Sequence, residues 1–483
     1  MARVLLIQPH EDRRLCKPIE NSPLPINLVY LGTAIEDKHE IKIYDRNLVF
    51  DDSHLLNFLR NYNPDIIGMN SITSEMLFDL VYLGKLIKKE FPKKMIIIGG
   101  VHATIEPDSV LRETFVDYII RGEGEAALLE FCDTFDKNPK GLKNLKNVNK
   151  NSLRPFINMD DLKLPNYNLV DYTKYKVFYV NMSRGCPGNC SFCYSATMWG
   201  INGNPCIRSF STEKSITLLK ELIEKYNIKV FSIVDDNFVP FKSRAIEICK
   251  FLSNYKLHFF CFGRADYVND EILSALRKAG CHTVCIGLES GSQRVLDFLH
   301  KKITVQQNIN AIKLCKKNKI KLDASLMIGI TTETIEEMNE TVKMVKTYLP
   351  DEVDMKIFNP MPGTPIFDYC IKQGFFKKPE TLEGWATWTG NQISIQHNTS
   401  NISDELLVHT IREMWMVGFY RNKIKRFFYW MKVGEYGYVL KGLKRLFEVR
   451  GGELQIPVIG FLIKHSKNKK INNKQPIHNN IKD

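Results

Sequence analysis

Residues 184–194 read RGCPGNCSFCY and place Cys186, Cys190 and Cys193 within eight positions. The spacing is CxxxCxxC, and the glycine, proline and asparagine between the cysteines favour a loop that brings three thiolates together. No fourth cysteine completes the run. A cubic 4Fe-4S cluster has four iron corners, so three protein ligands would leave one iron open to another molecule.

Three other interpretations of this cysteine run remain open. A structural zinc site prefers four ligands, often as paired CxxC units, and no further pair or adjacent histidine completes one here. An electron carrier of the ferredoxin type would supply a fourth thiolate, and Cys206, 13 residues after Cys193, is a candidate for it. Chance clustering among the 12 cysteines of the chain is the third alternative.

Composition indicates a large globular protein. A length of 483 residues predicts about three domains. The hydrophobic fraction of 44% and the charged fraction of 25% exclude a wholly disordered chain. No run approaches the roughly 18 apolar residues of a membrane span, and the four apolar residues 4–7 are too few for an export signal, so we expect a cytoplasmic protein.

The cysteine run lies near the start of a series of alternating strands and helices that covers residues 177–375. Six β-α units predict a partial parallel (β/α)6 barrel, in which chemistry occurs at the carboxyl ends of the strands. The cysteine run directly follows the first predicted strand. The predicted strands are Val177–Met182, Val230–Val234, His258–Gly263, Thr283–Gly287, Lys321–Ile328 and Glu352–Phe358.

Residues 1–136 form an earlier α/β series. Five short apolar runs with amphipathic stretches between them predict a flavodoxin-like, doubly wound parallel sheet. Ligands of such sheets bind beyond the carboxyl ends of the strands, where glycines let a ligand approach the backbone closely. The predicted strands are Arg3–Gln8, Glu40–Tyr44, Asp65–Asn70, Lys94–Ile98 and Asp117–Ile120.

The CxxxCxxC run, followed by an aromatic residue at the end of the first strand of a six-strand series, resembles that of the radical S-adenosylmethionine (SAM) enzymes. In that family the open iron binds the amino and carboxylate groups of SAM, and the reduced cluster cleaves the sulfonium to give a 5'-deoxyadenosyl radical. The resemblance implies that Cys186, Cys190 and Cys193 hold a 4Fe-4S cluster. It also implies an external electron donor of low potential.

The same resemblance implies SAM contacts at successive strand ends. Asp235 and Asp236 follow the second strand, where the family holds the methionine ammonium, and Arg264 follows the third and could fork onto the carboxylate. The ends of the fourth and fifth strands match the segments that contact ribose and adenine. The residues implied in SAM binding are Tyr194, Asp235, Asp236, Arg264, Glu289, Ser290 and Gly329.

The first unit resembles the cobalamin-binding domain that is fused to some radical SAM enzymes. It departs from the better-known DxHxxG pattern, because the first strand is followed by QPHEDR at residues 8–13, and we expect neither His10 nor His54 to bind cobalt. A vestigial or protein-docking flavodoxin-like domain is the alternative. The residues implied in cobalamin binding are Ser71, Thr73, Gly99, Gly100, His102, Gly122 and Glu123.

The remaining segments are predicted to be accessory. Residues 137–176 form a linker, residues 376–464 a helical region and residues 465–483 a disordered tail. The net charge of +13 is concentrated at the C-terminal end, where cations alternate with aromatic residues at 420–430. A helical lid over the barrel, a peripheral membrane contact and a nucleic-acid contact are the three interpretations; without an RNA-binding module we do not expect nucleic acid.

The function that this pattern predicts is cobalamin-dependent methylation of an unactivated carbon. In the family branch, methylcobalamin supplies the methyl group after the deoxyadenosyl radical has removed a substrate hydrogen. The substrate class is a small molecule, a lipid or a peptide. The alternatives are a radical SAM oxidative cyclase or rearrangement enzyme, an iron-sulfur electron-transfer or scaffold protein, and a nucleic-acid-modifying protein, since fold does not decide the reaction.

Overall fold

The computed structural model describes residues 1–200, 204–388 and 397–414. Residues 1–419 form one compact unit, to which all of these belong. Within the described ranges, no helix has the length and apolar character needed to cross a membrane. The basic segment at 420–430 and the predicted tail at 465–483 lie outside the described residues.

The strands in chain order are β1 (Arg3–Gln8), β2 (Glu40–Asp45), β3 (Ile66–Asn70), β4 (Met95–Gly99), β5 (Tyr118–Ile119), β6 (Phe178–Val180), β7 (Ser183–Gly185), β8 (Ile207–Ser209), β9 (Val230–Ile233), β10 (His258–Gly263), β11 (Cys281–Glu289), β12 (Lys321–Ile328) and β13 (Glu352–Ile357).

The helices are α1 (Ile26–Ile35), α2 (Asp52–Tyr62), α3 (Met76–Glu90), α4 (Val101–Ile105), α5 (Pro107–Leu111), α6 (Glu125–Lys137), α7 (Tyr194–Trp199), α8 (Thr212–Lys220), α9 (Lys242–Leu252), α10 (Asp270–Lys278), α11 (Gln293–Phe298), α12 (Val305–Lys317), α13 (Ile335–Tyr348), α14 (Pro365–Lys372) and α15 (Leu382–Ala386).

The first sheet is parallel with strand order β2-β1-β3-β4-β5. All five residues of β3 are buried, as expected for a strand covered by helices on both faces. The order reverses between β1 and β3, which is where open α/β sheets bind ligands beyond their strand ends. The predicted doubly wound sheet is confirmed.

The second sheet is parallel with order β13-β12-β11-β10-β9-β6 and is open between its first and last strands. Along β12, Leu322, Ala324 and Leu326 are buried against the surrounding helices, while the alternating residues Asp323 and Ser325 are half-buried on the other face. This is the predicted partial barrel, with the helices packed outside it.

A short antiparallel hairpin, β7 with β8, separates the barrel from the cysteine run and was not predicted. The predicted first strand ends early, at Val180. Asp235 Oδ1 accepts hydrogen bonds from the backbone N–H groups of Met182 (2.6 Å) and Ser183 (3.1 Å), which are therefore not available for a sheet ladder. The cysteine loop consequently leaves a hairpin rather than a barrel strand.

The segments outside the two sheets are packed against them. In the predicted linker at 137–176, Leu142 and Val148 join the core of the first sheet, and Met159 and Tyr167 join that of the barrel. The helix α15 packs on α3, where Lys85 Nζ lies 2.9 Å from Glu383 Oε1. Residues 404–414 are helical. The domain boundaries themselves stay predictions.

Candidate active site

The cysteine loop runs from β7 to α7 and is held at several backbone positions. The N–H of Ser191 donates to the carbonyl of Leu299 at 2.9 Å, and the N–H of Cys193 donates to the carbonyl of Cys190 at 3.2 Å. Gly185 begins the loop with φ +92°, and a Cβ at this position would lie 2.0 Å from the carbonyl oxygen of Cys206. Only glycine fits there, so the entry into the loop is fixed.

The three predicted cluster ligands lie in this loop as neighbours. Burial raises the pKa of the Cys186 thiol and raises that of Cys193 to about 12, and the other thiols of the loop add to both shifts. Among the described residues, no three His, Cys, Asp or Glu side chains converge on one ion. A single zinc ion would need sulfurs within about 4 Å of one another, whereas a polynuclear cluster spreads its ligands over separate irons. Three cysteine thiols in one loop are the donor type that iron-sulfur clusters use.

Arg264 lies directly against this loop. Its Nη1 is 3.5 Å from Cys190 Sγ, its Nε and Nη2 bind the carboxylate of Asp266 at 3.0 and 3.2 Å, and its Nη2 also donates to the carbonyl of Lys301 at 2.9 Å. A Cβ at Gly188 would lie 2.5 Å from Nη1. Arg264, predicted to bind the SAM carboxylate, is thus already paired and lies beside a cluster ligand.

The two aspartates after β9 have different partners. Asp235 is fully buried and holds the β6–β7 junction, and burial raises its pKa to about 6. The predicted contact of Asp235 with SAM stays a prediction. Asp236 Oδ2 instead accepts from Ser195 Oγ (2.7 Å) and from the N–H of Gly185 (3.1 Å), one on either side of the cysteine loop, and Asp236 also lines a cavity.

The two residues after β11 are also engaged. Glu289, with φ +60°, accepts a hydrogen bond from Lys301 Nζ at 2.8 Å, and both side chains are buried. Ser290 is buried, and its Oγ lies 3.1 Å from the hydroxyl of Thr341. Ser290 therefore stabilises the turn, and its contact with SAM stays a prediction. The sequence did not point to Lys301, because it lies in a polar run between Leu299 and Ile303.

The remaining two candidates for SAM binding differ in exposure. Gly329 has φ +71°, and its N–H donates to Glu333 Oε2 at 2.7 Å. Burial raises the pKa of Glu333 to about 7. The side chain of Leu407 approaches Gly329, so the helix at 404–414 lies over the end of β12. Tyr194 begins α7, and its side chain is exposed.

A cavity of about 340 Å³ lies between the carboxyl ends of the two sheets. Its lining is mostly apolar and includes Trp199, while Asp236 and Asn181 contribute polar groups from the barrel side. A large, mostly apolar ligand with polar edges fits such a lining. Four of the residues predicted to contact cobalamin line this cavity: Gly99, Gly100, Gly122 and Glu123.

Gly100 shows how closely the backbone approaches the sheet edge. Its φ is +98°, and a Cβ there would lie 2.5 Å from Asn70 Oδ1 and 2.6 Å from the carbonyl oxygen of Ser71. The carbonyl oxygen of Ser71 cannot move aside, because it belongs to the backbone that follows β3. The cavity wall at this point therefore requires glycine.

The other three residues predicted to contact cobalamin support the wall rather than line it. His102 is buried, its Nδ1 lies 2.8 Å from Thr73 Oγ1, and its Nε2 lies 3.0 Å from Ser109 Oγ. Burial lowers its pKa to about 3, so the ring is neutral and both nitrogens are engaged. Ser71 Oγ donates to the carbonyl of Gly99 at 2.6 Å and fixes the start of α4. The predicted contacts of Ser71, Thr73 and His102 with cobalamin stay predictions.

Ion pairs close the rim of the cavity. Arg184, two residues before Cys186, pairs with Glu123 at 2.6 Å and also with Glu125. Arg208 pairs with Glu123 at 3.0 Å. Glu123 thus connects the first sheet to the β7–β8 hairpin that carries the cysteine loop.

Comparison with known proteins agrees with this arrangement. The model of the radical SAM superfamily matches residues 180–345, and that of the B12 binding domain matches residues 15–131. An uncharacterized methyltransferase of Pyrococcus horikoshii is 32% identical over 426 residues, which cover 84% of this chain and 90% of the relative. The chain belongs to the cobalamin-dependent radical SAM family.

Two further matches add detail. The anaerobic magnesium-protoporphyrin IX monomethyl ester cyclase of Rubrivivax gelatinosus is 28% identical over 327 residues, which cover 63% of this chain and 58% of that protein. The radical SAM methyltransferase TsrM of Kitasatospora setae, solved with cobalamin and a 4Fe-4S cluster bound, shares the fold with a TM-score of 0.65. It is 15% identical, and the match covers 77% of this chain and 75% of TsrM.

Membership of this family confirms the predicted cofactors. The protein is a radical SAM enzyme that uses a 4Fe-4S cluster, SAM and cobalamin. The cysteine loop fits the cluster by its donor chemistry, and the cavity at the carboxyl ends fits cobalamin by its glycines and its apolar lining. The assignment of individual residues to these cofactors stays a prediction.

Proposed function

We propose that this radical SAM enzyme transfers a methyl group to an unactivated carbon of a small molecule or lipid that binds between the cysteine loop and the cavity. One observation carries the proposal. Asp236 bonds to both sides of the cysteine loop and also lines the cavity, so the two cofactor sites share a wall. When bound, the cluster and SAM supply a radical that removes a substrate hydrogen, and cobalamin supplies the methyl group.

The residues of the chain divide into those that would contact a cofactor and those that position them. The proposed cluster ligands are Cys186, Cys190 and Cys193. The proposed contacts with SAM are Tyr194, Asp236, Arg264, Glu289 and Gly329. The proposed contacts with cobalamin are Gly99, Gly100, Gly122 and Glu123. The positioning residues are Ser71, Thr73, His102, Asp235 and Ser290.

The substrate class is supported by the relatives and by the cavity. The hopanoid C-3 methylase of Methylococcus capsulatus, which by its name acts on a lipid, is 24% identical over 345 residues that cover 68% of this chain and 64% of that protein. The apolar lining of the cavity suits a substrate with little charge. An external electron donor of low potential completes the proposal, and a peripheral membrane contact would bring a lipid substrate to the enzyme.

Oxidative cyclisation is the second candidate and is favoured by the cyclase of Rubrivivax gelatinosus. That reaction would consume no methyl group. The two candidates therefore differ in the nucleosides that they release from SAM.

The test is to incubate anaerobically reconstituted enzyme with cobalamin, a reductant and SAM labelled with deuterium in its methyl group. A small-molecule and lipid extract from cells that lack the enzyme provides the substrate. We expect both S-adenosylhomocysteine and 5'-deoxyadenosine, together with a product that carries three deuterium atoms. 5'-Deoxyadenosine alone, with an unlabelled product, would contradict methylation and favour the cyclase.

A further inference from the structure

Lys301 is a buried cation next to the cysteine loop, and no sequence pattern accounts for it. Only 5% of the surface of Lys301 is accessible to solvent. Its Nζ donates to Glu289 Oε1 at 2.8 Å, and its carbonyl accepts from Arg264 Nη2 at 2.9 Å. The residue thereby connects the end of β11 to the arginine that contacts Cys190.

The ammonium of Lys301 lies close to the loop itself. Its Nζ lies 5.9 Å from the ring centre of Phe192, a residue that lies between Cys190 and Cys193 in the sequence. A Cβ at Gly287 would be 3.0 Å from the same nitrogen. Burial works to lower the pKa of Lys301, but the attraction of Glu289 and then of Cys190 outweighs it and raises the pKa. The lysine is therefore cationic in the native protein.

Two ion pairs consequently lie beside the cysteine loop: Arg264 contacts Cys190, and Lys301 lies near the ring of Phe192. Arg264 is neutralised by the two oxygens of Asp266, whereas Lys301 faces a single oxygen of Glu289. The pair of Lys301 and Glu289 is buried, whereas Asp266 is exposed to water. A charge that is shielded from water acts on its neighbours more strongly than it would in solvent. Reduction of a cluster adds one negative charge, so a nearby buried cation favours the reduced state and a nearby carboxylate opposes it.

We infer that Lys301 is a positioning residue that raises the reduction potential of the cluster held by Cys190, with Glu289 as the opposing charge. The inference rests on the proposed assignment of Cys190 as a cluster ligand. It gives the buried pair a role of its own: Lys301 sets how readily an external donor reduces the cluster, and it holds Glu289 at the end of β11.

The test is a potentiometric titration, monitored by electron paramagnetic resonance, of reconstituted full-length enzyme without SAM. Lys301→Met should lower the midpoint potential enough for a tenfold fall in the ratio of reduced to oxidised cluster at a fixed potential, which corresponds to about 59 mV for one electron. Glu289→Gln should shift the midpoint in the opposite direction. The double variant should return close to the wild-type value.

The neighbouring residue provides the matched control. Lys302 is exposed, so Lys302→Met should leave the midpoint unchanged. Lys301→Arg keeps the charge and should keep the potential. If Lys301→Met fails to assemble a cluster, the other two variants provide the test. Glu289→Gln should raise the midpoint potential, and Lys301→Arg should leave it unchanged.

Two results would overturn the inference: intact clusters with unshifted potentials in both single variants, or shifts of both variants in one direction, as a structural disturbance would give. These outcomes are distinct from failure of the proposed function. Wild-type protein that forms no reducible cluster contradicts the proposed function itself, whereas a normal wild-type cluster with unshifted variants contradicts only the role of Lys301.

Discussion

Asp235 and Asp236 are adjacent in the sequence but have different tasks. The pattern placed both at a strand end, where a carboxylate could meet an ammonium. Which of the two is buried depends on where the chain leaves the barrel, because Asp235 binds the N–H groups of Met182 and Ser183. That information lies some 50 residues earlier in the chain. The sequence therefore indicated that both carboxylates follow β9 but not which contacts each one makes.

The cysteines give the most direct prediction at this scale. Cys190→Ala should abolish cluster assembly and SAM cleavage, because it removes one of three thiolates. Cys206→Ala should retain both, since Cys206 is expected to be no ligand. Iron content and visible absorption after anaerobic reconstitution measure cluster assembly, and the amount of 5'-deoxyadenosine measures SAM cleavage. Loss of the cluster in Cys206→Ala would show a fourth protein ligand.

A second residue-scale prediction concerns Glu333. Burial raises its pKa from about 4.5 to about 7. The native state therefore binds this proton more tightly than the unfolded chain, and the free energy of unfolding falls as pH rises through this window. At about 1.4 kcal/mol per pKa unit, the loss is at most about 3.5 kcal/mol.

Glu333→Gln keeps an acceptor for the N–H of Gly329 and cannot ionise. Its unfolding free energy should therefore lack the fall between pH 4.5 and 7 that the wild-type protein shows. Denaturant melts across this pH range measure the difference. Glu336→Gln, in the exposed first turn of α13, is the control and should follow the wild type; equal pH profiles for all three proteins would contradict the account.

At the scale of elements, the sequence predicted the strands that contain apolar runs but not the short polar strands β7 and β8. The bounds of β1, β10 and β12 agree with the prediction, because buried strands of parallel sheets read as continuous or alternating apolar runs. The hairpin of β7 and β8 has three residues on each side and little apolar character. Its pairing is set by contacts distant in sequence, so no local pattern indicates it.

The cavity wall gives a prediction for this scale. Gly100→Ala should lower cobalamin content severalfold, because the added Cβ would meet the backbone of Ser71 at 2.6 Å. Gly374→Ala is matched in backbone conformation, with φ +78° against +98°, but its Cβ meets nothing within 4 Å. The Gly374→Ala variant should lose only the stability that local backbone strain costs, and it should retain cobalamin. Equal cobalamin content in both variants, measured by absorption of the purified protein, would exclude a role of Gly100 in the site.

At the scale of the whole molecule, the chain beyond the barrel returns to the first sheet. Trp385 and Trp388 are fully buried in a core that also contains Leu77 and Ile98 of the first unit and Ile330 of the barrel. The sequence indicated an aromatic helical region but not its contact with α3, because the two segments are separated by about 300 residues. This shared core couples the first unit to the barrel.

Trp385→Ala should therefore destabilise the whole described unit by about 3–5 kcal/mol, the usual cost of truncating a large buried side chain. Phe375→Ala, at a position that is 41% exposed, should change stability by about 0.5 kcal/mol or less. Unfolding followed by circular dichroism and by tryptophan fluorescence measures both. If Trp385→Ala behaves like the control, the return of the chain to α3 is not what holds the two units together.

The central claim is that three cysteines hold the cluster and leave one iron for SAM. It is tested most directly by the electron paramagnetic resonance spectrum of the reduced, reconstituted protein before and after SAM is added. The account predicts that SAM changes the g values, because it binds to the open iron. An unchanged spectrum, from a cluster whose fourth iron already carries a protein ligand, would contradict it.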